Sequence, residues 1–167
     1  FTTVGVSLNG VTNFTLTADR YVGNGTGLTA TGDLTGTKIL GSTFTNNTTG
    51  VSLSNARNLV FGDIGQGNRI ERTSTTGSGL RITGTSTGTR VLANAFTGYG
   101  YGIEITSATG VTVGGTIAGQ ANSITSAAKA GVYASGFCTG SSVIKTTFSK
   151  TNVPYNVATA RNLKVVK

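Results

Sequence analysis

The stretch Thr49-Gly-Val-Ser-Leu-Ser-Asn-Ala-Arg-Asn-Leu-Val-Phe61 decides the architecture, because the chain writes it again one fixed step later. At Gly102 it becomes Gly-Ile-Glu-Ile followed by Gly110-Val-Thr-Val, and a third version runs through Tyr155-Asn-Val-Ala and Asn162-Leu-Lys-Val. Val51, Ile103 and Tyr155 fall in phase at about 52 residues, as do Leu53, Ile105 and Val157. Leu59, Val111 and Leu163 keep the same phase, and so do Phe61, Val113 and Val165.

Working outward, a strand that is apolar at alternate positions and introduced by glycine starts at Gly5, Gly27, Gly50, Gly79, Gly102 and Gly131, and Pro154 takes the glycine's place at the next start. The chain therefore reads as about seven turns of roughly 22 to 29 residues, the spacing of solenoid coils. Each turn carries a second short strand: Phe14-Thr-Leu, Lys38-Ile-Leu, Leu59-Val-Phe, Arg90-Val-Leu, Val111-Thr-Val, Val143-Ile and Leu163-Lys-Val. A third apolar point alternates in kind. Shorter turns use Phe44, Phe96 and Phe148; longer turns use Ile70 and Ile124, each after an asparagine and a Gly-rich loop. The repeating unit is thus a pair of coils, one short and one looped, across a single domain spanning 1–167. Stacked in register, the phenylalanines form a core ladder at alternate levels with the isoleucines between. The glycines before each first strand are expected at positive-φ or close-approach corners.

Composition agrees. The 167 residues include 26 Gly and a single Pro, with Met, Trp and His absent. Low charge and abundant Thr, Gly and Val favour an all-β chain. No apolar run approaches the roughly 18 residues a membrane span needs. A chain without methionine is expected to be a cleaved product or an excerpt, and either origin fits an extracellular or cell-surface protein. Cys138, alone, gives no internal disulfide and is expected to pack as a small apolar residue. The sequons at Asn13, Asn24, Asn46 and Asn47 carry little weight in so Asn- and Thr-rich a chain.

The motifs Gly-Val-x-Leu, Val-Thr-Val-Gly-Gly and Gly-Gln-x-Asn-x-Ile together resemble the right-handed parallel β-helix repeat proteins of the pectate-lyase-like superfamily, particularly their non-enzymatic surface and secreted arrays. The resemblance covers nearly the whole chain. It implies a right-handed single-stranded parallel β-helix and a structural, turn-capping role for Asn68 and Asn122. It implies little about activity, since one such helix carries lyases, tailspikes, adhesins and inert stalks alike. Unlike that pattern, no amphipathic capping helix is read at the start, where Phe1-Thr-Thr-Val4 enters almost directly into the first coil. The end coils, with Phe1, Val4, Val6 and Leu8 at one end and Leu163, Val165 and Val166 at the other, are then expected to meet either flanking sequence or another copy.

Chemistry is thinly represented. The acids are Asp19, Asp33, Asp63, Glu71 and Glu104, and no two recur at the i, i+2 spacing that would set both on one strand face. Lyases of this architecture need clustered carboxylates for calcium, and hydrolases a flanking acid pair. Glu104, outward on its strand, is expected to pair with Arg81, and the absence of histidine excludes His-dependent triads. The reading is non-enzymatic, with no catalytic residue, cofactor or metal. Gly62-Asp-Ile-Gly-Gln-Gly67 lacks the following helix and Lys-Ser/Thr of a phosphate loop. An ice-binding face is disfavoured because the outward row Ser7, Thr29, Ser52, Arg81, Glu104, Tyr133 is irregular. The net charge of +8 leans towards anionic partners. Lys38 and Arg90, two coils apart, and Arg57 and Arg161, four apart, are the candidate contacts for an anionic polysaccharide. Nucleic acid is disfavoured, since aromatic platforms are missing apart from Tyr99 and Tyr101. The expected function is a non-catalytic structural module of an extracellular or cell-surface assembly, self-stacking end to end, with a polysaccharide-binding adhesin- or tailspike-like module as the alternative and a polysaccharide lyase-type enzyme behind it.

Overall fold

The computed structural model describes residues 3–167. It is all-β: twenty strands, no helix among the described residues, and three parallel sheets stacked as a solenoid of about seven coils. No helix is long and apolar enough to cross a membrane.

Sheet A takes the first strand of every coil: β1 (Val4–Asn9), β4 (Thr26–Asp33), β7 (Thr49–Arg57), β10 (Ser78–Thr85), β13 (Tyr101–Thr109), β16 (Ala130–Phe137) and β19 (Tyr155–Arg161). Sheet B takes the second: β2 (Thr15–Thr17), β5 (Lys38–Leu40), β8 (Val60–Phe61), β11 (Arg90–Val91), β14 (Thr112–Val113), β17 (Ser142–Ile144) and β20 (Lys164–Val166). Sheet C has six strands: β3 (Arg20–Val22), β6 (Thr43–Thr45), β9 (Arg69–Glu71), β12 (Ala95–Thr97), β15 (Ser123–Thr125) and β18 (Thr147–Ser149). Each strand pairs with its counterpart one coil away, so neighbouring levels lie about 4.7–4.9 Å apart.

Strands this short cannot bury an apolar face alone; stacking supplies the partner. Leu28, Val51, Leu80, Ile103 and Val132 stand over one another in sheet A, all fully buried. Ile39, Phe61, Val91, Val113 and Val143 do the same in sheet B. In sheet C the register runs Phe44, Ile70, Phe96, Ile124, Phe148, as the alternating periodicity predicts. Tyr21 begins that ladder below Phe44, its ring 5.4 Å away and stacked. Cys138 is buried in the core.

The strand-start glycines act by close approach. A Cβ on Gly27 would meet the carbonyl oxygen of Gly50 at 2.6 Å, and one on Gly79 that of Gly102 at 2.7 Å. Neither has positive φ. The glycines form their own column, each leaving room for the backbone of the next coil.

Polar ladders close the turns. Where sheet B turns into sheet C, Asn68, Asn94 and Asn122 are buried one above another. The side-chain oxygen of Asn68 accepts from Ser42 N–H at 2.9 Å, and that of Asn122 from Asn94 N–H at 3.0 Å. Their amides donate to the carbonyls of Ile39, Phe61 and Val91 respectively. Thus backbone groups that a turn would leave unpaired inside the column are satisfied by side chains. Where sheet A turns into sheet B, hydroxyls take over at alternate levels: Thr37 donates to Val11 O, Thr89 to Ala56 O and Ser141 to Ala108 O.

Candidate functional site

Every outward side chain belongs to a row fixed by strand register, so candidate surfaces can be assembled row by row. The basic residues come first. Lys38 and Arg90 share one outward row of sheet B with Val60 between them and Lys164 three levels beyond Arg90. Two levels separate Lys38 from Arg90, about 10 Å. Arg57 and Arg161 lie at the C-terminal end of sheet A strands, opposite Asp33 and Phe137 respectively. Arg161 lays its guanidinium over the Phe137 ring at 5.2 Å. Thr35 and Asn58 donate to the Asp33 carboxylate and, with a smaller contribution from the Arg57 charge, hold it below the usual carboxylate range. The two basic rows run on different faces of the column and contain neutral and acidic members.

The acids are engaged singly. Glu104 accepts from Ser78 Oγ at 2.5 Å and lies 3.9 Å from Arg81 Nε, the ion pair expected from their adjacent outward positions. Glu71 pairs with Arg69 Nε at 2.6 Å. Among the described residues, no three His, Cys, Asp or Glu converge as a metal would require. On the same face as Glu104, Tyr101 and Tyr133 pack with ring centres 4.9 Å apart, and Lys129 covers Tyr101 at 5.4 Å. Tyr99 is not a platform: it is 1% exposed, its hydroxyl donates to Asn47 O, and burial holds the phenol above its usual range.

The two ends differ from the middle. In each sheet the first and last strands have a single neighbour, so one edge of β1, β2, β3, β18, β19 and β20 is unpaired within the described chain. Core positions there are incompletely covered. Val6 is partly exposed although Leu28 over it is fully buried, whereas Leu8 is buried; Val4, 37% exposed, stands in an outward row with Thr26 and Thr49. At the other end Tyr155, Val157, Leu163 and Val165 are half-buried, although their counterparts Ile103, Ile105, Val111 and Val113 are fully buried; Val166 is half-buried beside Ile144, which is half-buried too. Phe1 lies outside the described residues.

One cleft was not foreseen. Between sheets C and A, the segment 72–77 bulges from the coil and walls a space of about 280 Å³ lined by Thr45, Asn46, Glu71, Arg72, Thr73 and Thr97. Thr45, Glu71 and Thr97 come from one outward row of sheet C. Their common place after the inward residue of each third strand (Phe44, Ile70, Phe96) was the available signal.

Compared with family models, curated proteins and solved structures, the chain finds no match. What stands from its own geometry is a parallel β-solenoid whose first and last strands have one edge unpaired within the described chain, with separated basic rows and a side cleft between sheets C and A.

Proposed function

We propose that this chain is a non-catalytic structural module of an extracellular or cell-surface assembly, which lengthens by stacking the last coil of one copy on the first coil of the next. The observation that carries this is the pair of end faces: strand edges unpaired within the described chain, beside Val6, Tyr155, Val157 and Val165, whose counterparts in the middle coils are fully buried. Parallel edges of this kind accept another strand through backbone hydrogen bonds. A contact between two different ends does not close on itself, so it builds a filament. The engagement of Glu71 and Glu104 with arginines supports the non-catalytic side of the reading. The stacked turn asparagines and repeat motifs support kinship with the non-enzymatic arrays of the pectate-lyase-like superfamily.

Sedimentation velocity and negative-stain microscopy over a wide concentration range test the proposal. Rods that lengthen with concentration are expected, and Val6→Lys or Val157→Lys should leave folded monomers. Monomers of the unaltered chain at every concentration would sink the stacking reading.

A second reading rests on the shared row of Lys38, Arg90 and Lys164: a polyanionic glycan laid along sheet B. Its signature is retention on an acidic polysaccharide column that fades with salt and with Lys38→Ala/Arg90→Ala.

A further inference from the structure

We infer that the cleft beside Glu71 is a binding site for a single neutral sugar ring. Outward positions of sheet C are otherwise mostly small, as at Thr43, Ala95, Ser123, Thr125, Thr147 and Ser149. Glu71 interrupts that face with a carboxylate whose side chain is 28% exposed, flanked one level below by Thr45 and one above by Thr97. Three hydrogen-bonding groups therefore follow one another at about 4.7–4.9 Å, a spacing that matches alternate, 1,3-related equatorial hydroxyls of a pyranose ring.

The wall opposite is already fixed. Arg72 Nη1 donates to Thr48 O at 3.0 Å and to Thr76 O at 3.1 Å, and Thr73 N–H donates to Asn46 Oδ1 at 3.3 Å. A cleft whose wall is fixed by its own hydrogen bonds does not have to be ordered by its ligand, which lowers the cost of binding.

The lining chooses the ligand. Glu71 Oε2 is taken by Arg69, but Oε1 is met only by Thr45 Oγ1 at 3.4 Å and keeps acceptor capacity. The Thr97 hydroxyl makes no hydrogen bond within the described chain and is exposed. A ligand must then donate to a carboxylate and exchange bonds with hydroxyls, which a polyol does. Threonine methyls beside these groups suit the C–H face of a sugar. A ligand carboxylate is repelled by Glu71, and Arg69 is already paired with it; Arg72 Nη1 is held by two carbonyls, while its Nε and Nη2 are the groups that the glucuronate arm of the test interrogates. A metal ion is opposed by the presence of one carboxylate alone.

The test is a titration of isotopically labelled chain with D-glucose, D-galactose and N-acetyl-D-glucosamine, followed by amide resonances. Saturable shifts confined to Asn46, Arg72, Thr73 and Thr97 are expected, in the millimolar range of a single ring. Glu71→Gln should weaken binding about tenfold, since hydrogen bonds to a charged group exceed neutral ones. Thr97→Val, at an exposed position that leaves the fold intact, should also weaken it, and Glu104→Gln on sheet A should not. No saturable shift with any of the three sugars, or equal binding by both cleft variants, overturns the inference. Binding of D-glucuronate alone overturns it too, because the arginines would then be the recognising groups.

Discussion

The side-chain oxygen of Asn94 sits 2.9 Å from both the backbone nitrogen and the side-chain amide nitrogen of Asn68. One buried oxygen thus satisfies two donors of the coil beneath, while the Asn94 amide nitrogen donates to Phe61 O at 2.9 Å. Asn94→Ala strands all of these groups in a dry turn. An unsatisfied buried group costs on the order of 1–3 kcal/mol, so a loss of about 3 kcal/mol or more is expected in urea unfolding. A loss below about 1 kcal/mol would show that water reaches the turn and the ladder is not a stabilising device.

Thr146 occupies the position of that ladder one coil above Asn122, immediately before β18. It is 8% exposed and its hydroxyl has no partner. By the pattern below it, an asparagine there would accept from Asn122 N–H and donate to Val113 O. Thr146→Asn should therefore stabilise the chain by about 1 kcal/mol, the net worth of an ordinary hydrogen bond. An unchanged or lower unfolding midpoint would mean the turn cannot take the longer side chain.

Two glycines separate close approach from backbone conformation. Gly79→Ala places a methyl against the backbone of the next coil and is expected to cost about 2–3 kcal/mol, as overpacking does. Gly65 has φ near +72° with nothing within 4 Å of its would-be Cβ. Gly65→Asn, a residue that tolerates this conformation, should stay within about 0.5 kcal/mol of the parent. Equal costs at the two sites would refute the distinction.

Stability should be flat from about pH 5 to 8, because histidine is absent; burial raises the Cys138 thiol, so its contribution is whole below about pH 8.5 and is lost as pH climbs beyond it. Burial raises the phenols of Tyr99, Tyr21 and Tyr155, Asp19 adding to the effect at Tyr21. A raised folded value means the unfolded chain ionises first, so this contribution is whole below about pH 10 and is lost as pH climbs beyond it. Asp33 works in the other direction: its depressed value contributes above about pH 4 and is lost as pH falls through the folded value. Urea midpoints measured from pH 3 to 11.5 check both limbs, to an endpoint set about 1.5 above the ordinary phenol value. Tyr99→Phe should shallow the alkaline one, and an unaltered slope would remove Tyr99 from the account.

The Phe44, Ile70, Phe96, Ile124, Phe148 ladder was legible in the sequence because large apolar residues recur at a fixed phase. Tyr21 escaped, since its ring continues the ladder without repeating the residue type. Asn68 and Asn122 follow Gly-rich loops and were recognisable from family resemblance. Asn94 sits in a loop-free coil, yet Asn94-Ala-Phe96 has the same spacing as Asn68-Arg-Ile70. Periodicity located the strand-start glycines but could not choose between positive φ and crowding, which depends on the coil above. The row Thr45, Glu71, Thr97 could be read from its phase, but the wall of the cleft could not, because it comes from a bulge, Arg72 to Gly77, that breaks the repeat and carries no motif of its own.

The hydroxyl bonds from Thr37, Thr89 and Ser141 each tie an even-numbered coil to the odd one beneath it, and the looped and loop-free coils alternate in the same rhythm. Removing one coil would set two like members side by side and leave a tie without its mate. Growth or shrinkage of this protein over evolution should therefore come in pairs of coils, as a wall is extended by whole courses of bonded brick.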